Sequence, residues 1–272
     1  MDVKNRDRYE DIALEYRKKL DQSDPSVRGM TSNQSRWPLP SEIISGNTES
    51  DYTYTMGFID YIDQFHRDIT TCPLGRNNVP FQIDYGINGF LQRDEALKLY
   101  EMAYYAAFRG HNILELGTNE GLSSFLMATA LKNHSNPEWR KVHIDTVDIS
   151  PEWSASAQKT MRDRELSDYV NFHVGDATEF LDQRIAEGSQ YGVAFIDHWH
   201  GYDTTFEAAS RLADVLVPGG FALFHDFSDP NNFVPDHPYA VYQGVCDTIL
   251  KDDRYQFFGL FGSIALFRVR PH

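Results

Sequence analysis

Between residues 112 and 226, five short apolar runs alternate with longer stretches of helical spacing, and few folds accept that rhythm. The runs at 112–117, 142–149, 170–174, 191–197 and 220–226 are rich in Val, Ile, Leu and Phe and have strand length. Residues 121–132, 152–164, 177–187 and 204–215 lie between them as helices. A strand that returns through a helix to a parallel neighbour needs a crossover, and repeated crossovers build a parallel sheet covered on both faces. A further helix is expected over 237–252. The chain closes with runs at 255–260 and 263–270 joined by Phe261-Gly262, a hairpin signal that sets the last strand antiparallel. The expected fold class is α/β, a doubly wound seven-stranded sheet with an antiparallel last strand.

The part before residue 91 reads differently. Residues 5–21 carry Tyr9, Ile12, Ala13, Tyr16 and Leu20 on one helical stripe, and 22–50, rich in Ser, Pro, Asn and Gly, read as loop. Residues 51–68, with Tyr54, Phe58, Ile59, Ile62 and Phe65, suggest a second helix, followed by loop to about residue 90. A helix over 92–108 then opens the sheet domain, with Leu97, Tyr100, Tyr104 and Ala107 at helical spacing. The expected division is a helical and loop extension over 1–90, acting as a lid or an oligomer contact, and a cofactor-binding domain over 91–272.

Composition narrows the partners. The 272 residues carry a formal net charge of -15, which repels nucleic-acid phosphates and anionic membrane surfaces, so a small-molecule substrate is expected. The two cysteines, Cys72 and Cys246, form no metal-type pair, and the charged start lacks an apolar signal core. No run approaches the roughly 18 apolar residues of a membrane helix. A soluble cytoplasmic protein is expected, with a homodimer or a higher homo-oligomer as its candidate assembly.

The strand ends hold the candidate site. The first run ends in Glu115-Leu116-Gly117, and Gly121 opens the next helix, so the backbone can approach a ligand closely at a helix N-terminus. Asn119 replaces the middle glycine of a dinucleotide fingerprint. The second run ends in Asp148-Ile149, where a carboxylate is placed to accept ribose hydroxyls; Asp145 lies earlier in the same strand. The third ends in Gly175-Asp176-Ala177, where Asp176 can also cap the next helix.

The loop from Glu115 to Gly121 resembles the E/D-x-G-x-x-x-G loop of class I S-adenosylmethionine-dependent methyltransferases, relatives of the Rossmann architecture. The resemblance covers about residues 85–270. It implies an S-adenosyl-L-methionine site at Glu115, Gly117, Thr118, Asn119, Gly121, Ser123, Asp148, Ile149, Gly175, Asp176, Ala177 and Asp197, with Glu115 suited to the ammonium group and Asp176 near the adenine. The segments Asp197-His198-Trp199-His200-Gly201-Tyr202 and Pro218-Gly219-Gly220 to His225-Asp226 resemble the D-x-x-H-x-Y and P-G-G…H-D pattern of small-molecule and sugar O-methyltransferases. Some of those enzymes bind a divalent metal through one acidic residue after the fourth strand and two adjacent Asp or Asn residues after the fifth. Asp197 and Asp226 match two of these, but Phe227 cannot be the third. His200, His225 and Asp229 remain as substitutes, and a mixed nitrogen and oxygen set favours transition metals over magnesium.

Transfer to oxygen needs a proton acceptor, and histidine titrates in the right range. His200 is the first choice for base, with Asp197 and His225 beside it; His225 could equally be hydrogen-bonded into the sheet. His198 should point away, Trp199 and Tyr202 should wall the pocket or pack, and Asp203 and Thr204 look like a helix cap. Tyr52, Tyr54, Phe58, Tyr85 and Phe90 are further acceptor-contact candidates. The expected function is O-methylation of a natural-product, phenolic or sugar acceptor. Methylation of nitrogen or carbon, a non-methylating enzyme on the same fold and a non-catalytic nucleotide-binding α/β protein are the alternatives.

Overall fold

The structure, a computed structural model, describes residues 4–22, 37–48, 63–134 and 141–271. A single seven-stranded sheet has the order β3-β2-β1-β4-β5-β7-β6. The strands are β1 (Asn112–Leu116), β2 (Ile144–Asp148), β3 (Val170–Val174), β4 (Tyr191–Ile196), β5 (Leu216–Phe224), β6 (Tyr255–Phe261) and β7 (Ile264–Val269). The first five pair in parallel, and β7 inserts antiparallel between β5 and β6. The expected doubly wound sheet with an antiparallel final strand is the observed one. The order reverses between β1 and β4, where an open α/β sheet leaves a crevice beyond the strand ends.

Two apolar cores sandwich the sheet. On one face lie α4 (Arg93–Arg109), α5 (Leu122–Asn133) and α6 (Pro151–Asp163); on the other lie α7 (Ala177–Ala186), α8 (Tyr202–Val215) and α9 (Val241–Asp247). The N-terminal part joins both cores. Tyr9 and Ala13 of α1 (Arg6–Gln22), together with Trp37, pack among Phe227, Tyr242, Phe257 and Phe267. Trp37 donates its indole N–H to the Tyr242 hydroxyl at 3.0 Å, and Arg8 pairs with Asp247 at 2.6 Å, so the extension is anchored by polar as well as apolar contacts. On the opposite face α3 (Gln64–Ile69) packs on α4, and the Asp63 carboxylate both caps α3 and accepts from Tyr100 at 2.6 Å.

Three expectations need correcting. A short helix, α2 (Pro40–Ser45), interrupts the stretch read as loop; Pro40 starts it, Glu42 accepts from the Leu39 N–H at 2.9 Å, and Gly46 ends it at φ +70°. The helix expected over 237–252 shrinks to α9 and a 3-10 turn at Ile249–Lys251. Pro238 removes one donor, and the Ala240 N–H goes instead to the His200 carbonyl at 2.8 Å, which leaves helix only from Val241. Finally, α8 starts at Tyr202 behind an uncapped Gly201, so Asp203 lies in its first turn rather than ahead of it. Of the helix expected over 51–68, residues 51–62, with Tyr52, Tyr54 and Phe58, lie outside the described residues.

Candidate active site

The loop after β1 is shaped by three residues in left-handed backbone: Gly117 at φ +100°, Asn119 at φ +46° and Gly121 at φ +90°. At Gly117 the need for glycine is absolute in space as well as angle, because a Cβ there would sit 2.2 Å from the Asp197 carbonyl oxygen. The loop therefore lies directly on the end of β4. No side chain caps α5, so the N–H groups of its first turn face the crevice without a protein side-chain acceptor. Thr118 points down, its hydroxyl 2.6 Å from that of Thr146.

Glu115 is fully buried and accepts hydrogen bonds from the Ser123 and Ser124 hydroxyls. Burial pushes its carboxyl up to about 7, against the pull of these hydroxyls and of Thr146. Through these two hydroxyls it ties α5 to β1. Asp148 accepts from the Asn119 N–H at 2.7 Å and the Ser150 N–H at 2.8 Å, one on each oxygen, which leaves a second lone pair on each. Asp145, by contrast, is spent inside the sheet on Asn171 and Tyr191 at 2.9 Å each. Gly175 follows β3 with its N–H on the Asp148 carbonyl at 2.9 Å, and Asp176 caps α7 through the Thr178 and Glu179 N–H groups, with Ala177 half-buried behind it. Ile149, Val174 and Trp199, next to these strand ends in sequence, stand 73%, 56% and 63% exposed and form an apolar rim.

Across the switch point, Asp197, His200, His225 and Asp226 bring their ligand atoms within 4.8 Å of one another. The Asp197 backbone N–H is held by the Leu116 carbonyl at 2.8 Å, and the His225 N–H by the Ile196 carbonyl at 3.0 Å, so both continue the parallel ladders. Asp226 then turns at φ +53°, which ends the strand and swings its carboxylate back toward Asp197. His200 Nε2 lies 3.2 Å from both Asp197 Oδ1 and Asp226 Oδ2. His225 Nδ1 lies 2.9 Å from Asp197 Oδ1 and 3.4 Å from Asp226 Oδ2. Burial opposes charge on Asp197, His225 and Asp226, but attraction between the imidazoles and the carboxylates wins. The imidazoles hold Asp197 and Asp226 below the usual carboxylate range, and Asp197, Asp226 and Glu95 together raise His225 well above an ordinary histidine. His198 is not part of the group; burial, then His200, lowers it to about 4. Tyr202 bonds Asp247 at 3.1 Å, away from the site, and Phe227 is buried in the core beneath Trp37.

The cluster opens on a cavity of about 560 Å³ lined by His225 and Asp226 and, from the N-terminal part, by Ile43, Val79, Phe81 and Phe90. Tyr239 walls it and lays its ring on His200, centroids 4.6 Å apart. Sequence reasoning placed the strand-end residues that meet here but missed two others. Glu95, fully buried at the start of α4, lies with Oε2 3.2 Å from His225 Nε2. Its other oxygen accepts from the Ser263 N–H and hydroxyl, both at 2.7 Å. The available signal was the Gln92-x-x-Glu95 capping pattern, which marks a helix start but not the second use of the carboxylate. Tyr239 had no signal beyond its neighbour Pro238.

Residues 114–227 match a family described as a methyltransferase domain. A catechol O-methyltransferase of Niastella koreensis is 31% identical over 129 residues, 44% of this chain and 55% of that protein, so the chain spans about half the length of the curated relative it matches. Among solved structures, an O-methyltransferase of Bacillus cereus in complex with S-adenosylhomocysteine aligns over 78% of this chain and 93% of its own, at 16% identity and a TM-score of 0.52. An O-methyltransferase of Streptomyces achromogenes involved in tomaymycin synthesis, in complex with S-adenosylmethionine, aligns over 98% and 99%, at 16% identity and a TM-score of 0.50. At such identities the structures testify to the fold alone, and they share the sheet described above. Sequence match and fold point the same way: residues 114–227 match a methyltransferase-domain family, and the sheet has the fold of these solved O-methyltransferases.

Proposed function

We propose that the protein is an S-adenosylmethionine-dependent O-methyltransferase acting on a small molecule. One observation carries this reading. Three loops in register at the switch point lead to Asp197, and Asp197 belongs to a cluster that opens, on its other side, into a half-open cavity. The donor would lie over Gly117–Gly121, with its ribose on Asp148 and its adenine between Ile149, Trp199 and the Gly175–Ala177 turn. The open first turn of α5 suits the donor's carboxylate.

The acceptor would enter the cavity, with its hydroxyl facing His200. Its oxygen attacks the sulfonium methyl carbon, the S–C bond breaks, and a neutral thioether leaves; the hydroxyl proton passes to His200 where its Nε2 holds no metal. Most of the rate would come from alignment and exclusion of water. A divalent metal held by Asp197 and Asp226 would supply an electrophilic contact to the acceptor oxygen. Residues 1–90 are read as the extension that lids the cavity over a domain at 91–272; Ile43, Gly46, Thr48, Val79 and Phe81 all line it. A reducing, cytoplasmic setting fits Cys72 and Cys246, both buried free thiols, and among the described residues no helix is long and apolar enough to cross a membrane.

Calorimetry with S-adenosylhomocysteine is the first test, and no binding at millimolar ligand would end the reading. With a labelled donor, product mass analysis over phenols, sugars and macrolides identifies acceptor and methylated atom. His200→Ala should lower turnover by about 10²–10⁴-fold while leaving cofactor affinity in place; unchanged activity would remove His200 from its role.

A further inference from the structure

We propose that Asp197, His200, His225 and Asp226 form a two-histidine, two-carboxylate centre for a first-row transition-metal ion, and that buried Glu95 is the positioning residue that turns His225 toward it. The inference rests on donor geometry and not on methyl transfer, so either can fail alone. Two donors about 2.1 Å from one ion, at tetrahedral or octahedral angles, stand roughly 3.0–3.4 Å apart. The four close separations in the cluster are 2.9, 3.2, 3.2 and 3.4 Å. His225 Nδ1 is the telling atom. It is buried and has no geometrically formed hydrogen bond among the described residues, with Asp197 Oδ1 2.9 Å away. The ligand atoms of all four residues lie within 4.8 Å of one another.

Glu95 explains why this nitrogen faces the site. Its Oε2 takes the Nε2 end of His225 at 3.2 Å, leaving Nδ1 as the end presented to Asp197 and Asp226. Its Oε1 takes Ser263, and the Ser263 hydroxyl oxygen accepts the Asp226 N–H at 3.1 Å, so one carboxylate orients ligands at two adjacent positions. A carboxylate behind a metal-bound imidazole fixes ring and tautomer in this way. Glu95 cannot easily shift, since it also accepts the Gln92 N–H at 2.7 Å and is fully buried.

The donor chemistry selects the ion. Magnesium wants an octahedron of oxygens, and among the described residues the cluster holds two carboxylates beside two imidazoles. Phe227 offers no donor, and Asp229 spends one oxygen capping the turn at Pro230–Phe233, accepting from the Asn231 N–H at 2.7 Å. Two imidazoles suit manganese, iron, cobalt or zinc instead.

The test uses the full-length protein stripped by a chelator, with Co²⁺, Zn²⁺ and Mg²⁺ titrated against an indicator dye and the visible spectrum of bound Co²⁺ recorded. Co²⁺ and Zn²⁺ should bind at least about 100-fold more tightly than Mg²⁺. Glu95→Gln should weaken Co²⁺ by about 10–100-fold, with folding checked by circular dichroism. His225→Gln leaves the Glu95 cap intact and should shift the Co²⁺ bands as a nitrogen donor is lost; it decides the matter if Glu95→Gln does not fold. The proposal is overturned if no ion binds, if Mg²⁺ comes within tenfold of Co²⁺, if His225→Gln leaves the spectrum unchanged, or if folded Glu95→Gln keeps full affinity. S-adenosylhomocysteine calorimetry on the same samples reports separately on the donor site.

Discussion

Adding one methyl group at Gly117 should damage both the fold and the site. A Cβ built there lies 2.2 Å from the Asp197 carbonyl oxygen, 2.5 Å from its carbon and 2.8 Å from the His198 nitrogen. Carbon and oxygen rest at about 3.3–3.6 Å, so β1 and β4 would have to part by about 1 Å at their ends. They resist, because the Asp197 N–H is bonded to the Leu116 carbonyl at 2.8 Å. Left-handed backbone costs an L-residue about 1–2 kcal/mol, and overpacking of this kind about 1–3 kcal/mol, so Gly117→Ala should lose about 2–5 kcal/mol in urea unfolding. Where the protein still folds, the shift falls on Asp197, and a misplacement of about 1 Å can cost about 100-fold in rate. Unfolding and S-adenosylhomocysteine calorimetry together check this. Stability within about 0.5 kcal/mol of the parent, the ordinary range of surface changes, together with unaltered ligand affinity would show that the loop does not rest on Asp197.

Glu115 makes a pH prediction. Its folded pKa of about 7 stands above the ordinary 4.5, so the folded state holds its proton more tightly than the unfolded chain does. That contribution is complete below about pH 4.5 and is lost as pH rises through about 7, an amount on the order of 3 kcal/mol. Glu115→Gln cannot titrate, so the parent should lose stability relative to this variant between pH 5 and 8; parallel curves would contradict the assignment. Trp37→Ala should cost about 3–5 kcal/mol, since the ring is fully buried among five aromatic neighbours, and denaturant unfolding would detect it; a surface-like effect would mean the extension is not part of the core. Asp148→Ala should weaken S-adenosylhomocysteine at least about tenfold, because two backbone donors lose a charged acceptor worth roughly 1.5–3 kcal/mol each and the ribose loses its partner. Equal calorimetric affinity would move the ribose elsewhere.

What could be read from the sequence follows the range of the interactions concerned. The sheet was legible because each strand announces itself in a handful of neighbouring residues, and parallel crossovers leave few ways to order them. Gly117 and Asp148 were legible for the same reason, as turn glycine and strand-end acid act within a few residues. Boundaries slipped where a single backbone group was diverted, as at Ala240, whose N–H leaves its helix for His200. Glu95 was not legible, since its partner His225 is 130 residues away and a buried carboxylate at a helix start looks like any capping residue. The placement of Glu115 also needed three dimensions, because only packing reveals that Ser123 and Ser124 donate to its oxygens.

Asp197 joins the two halves of the site, and its constraints explain why both halves take the form they do. Its carbonyl is the surface against which Gly117 closes the donor loop, and its carboxylate is the oxygen shared by His200 and His225. Backbone and side chain of one residue therefore face the two sides of the switch point. Under the proposed function, a donor methyl over Gly117 and an acceptor oxygen at the His–Asp cluster would meet beside it, as in-line transfer requires. The same geometry makes Asp197 a poor place to test either half alone, since its replacement would disturb donor, acceptor and metal together. Glu95 and Asp148 each touch one function, and variants there can separate what Asp197 combines.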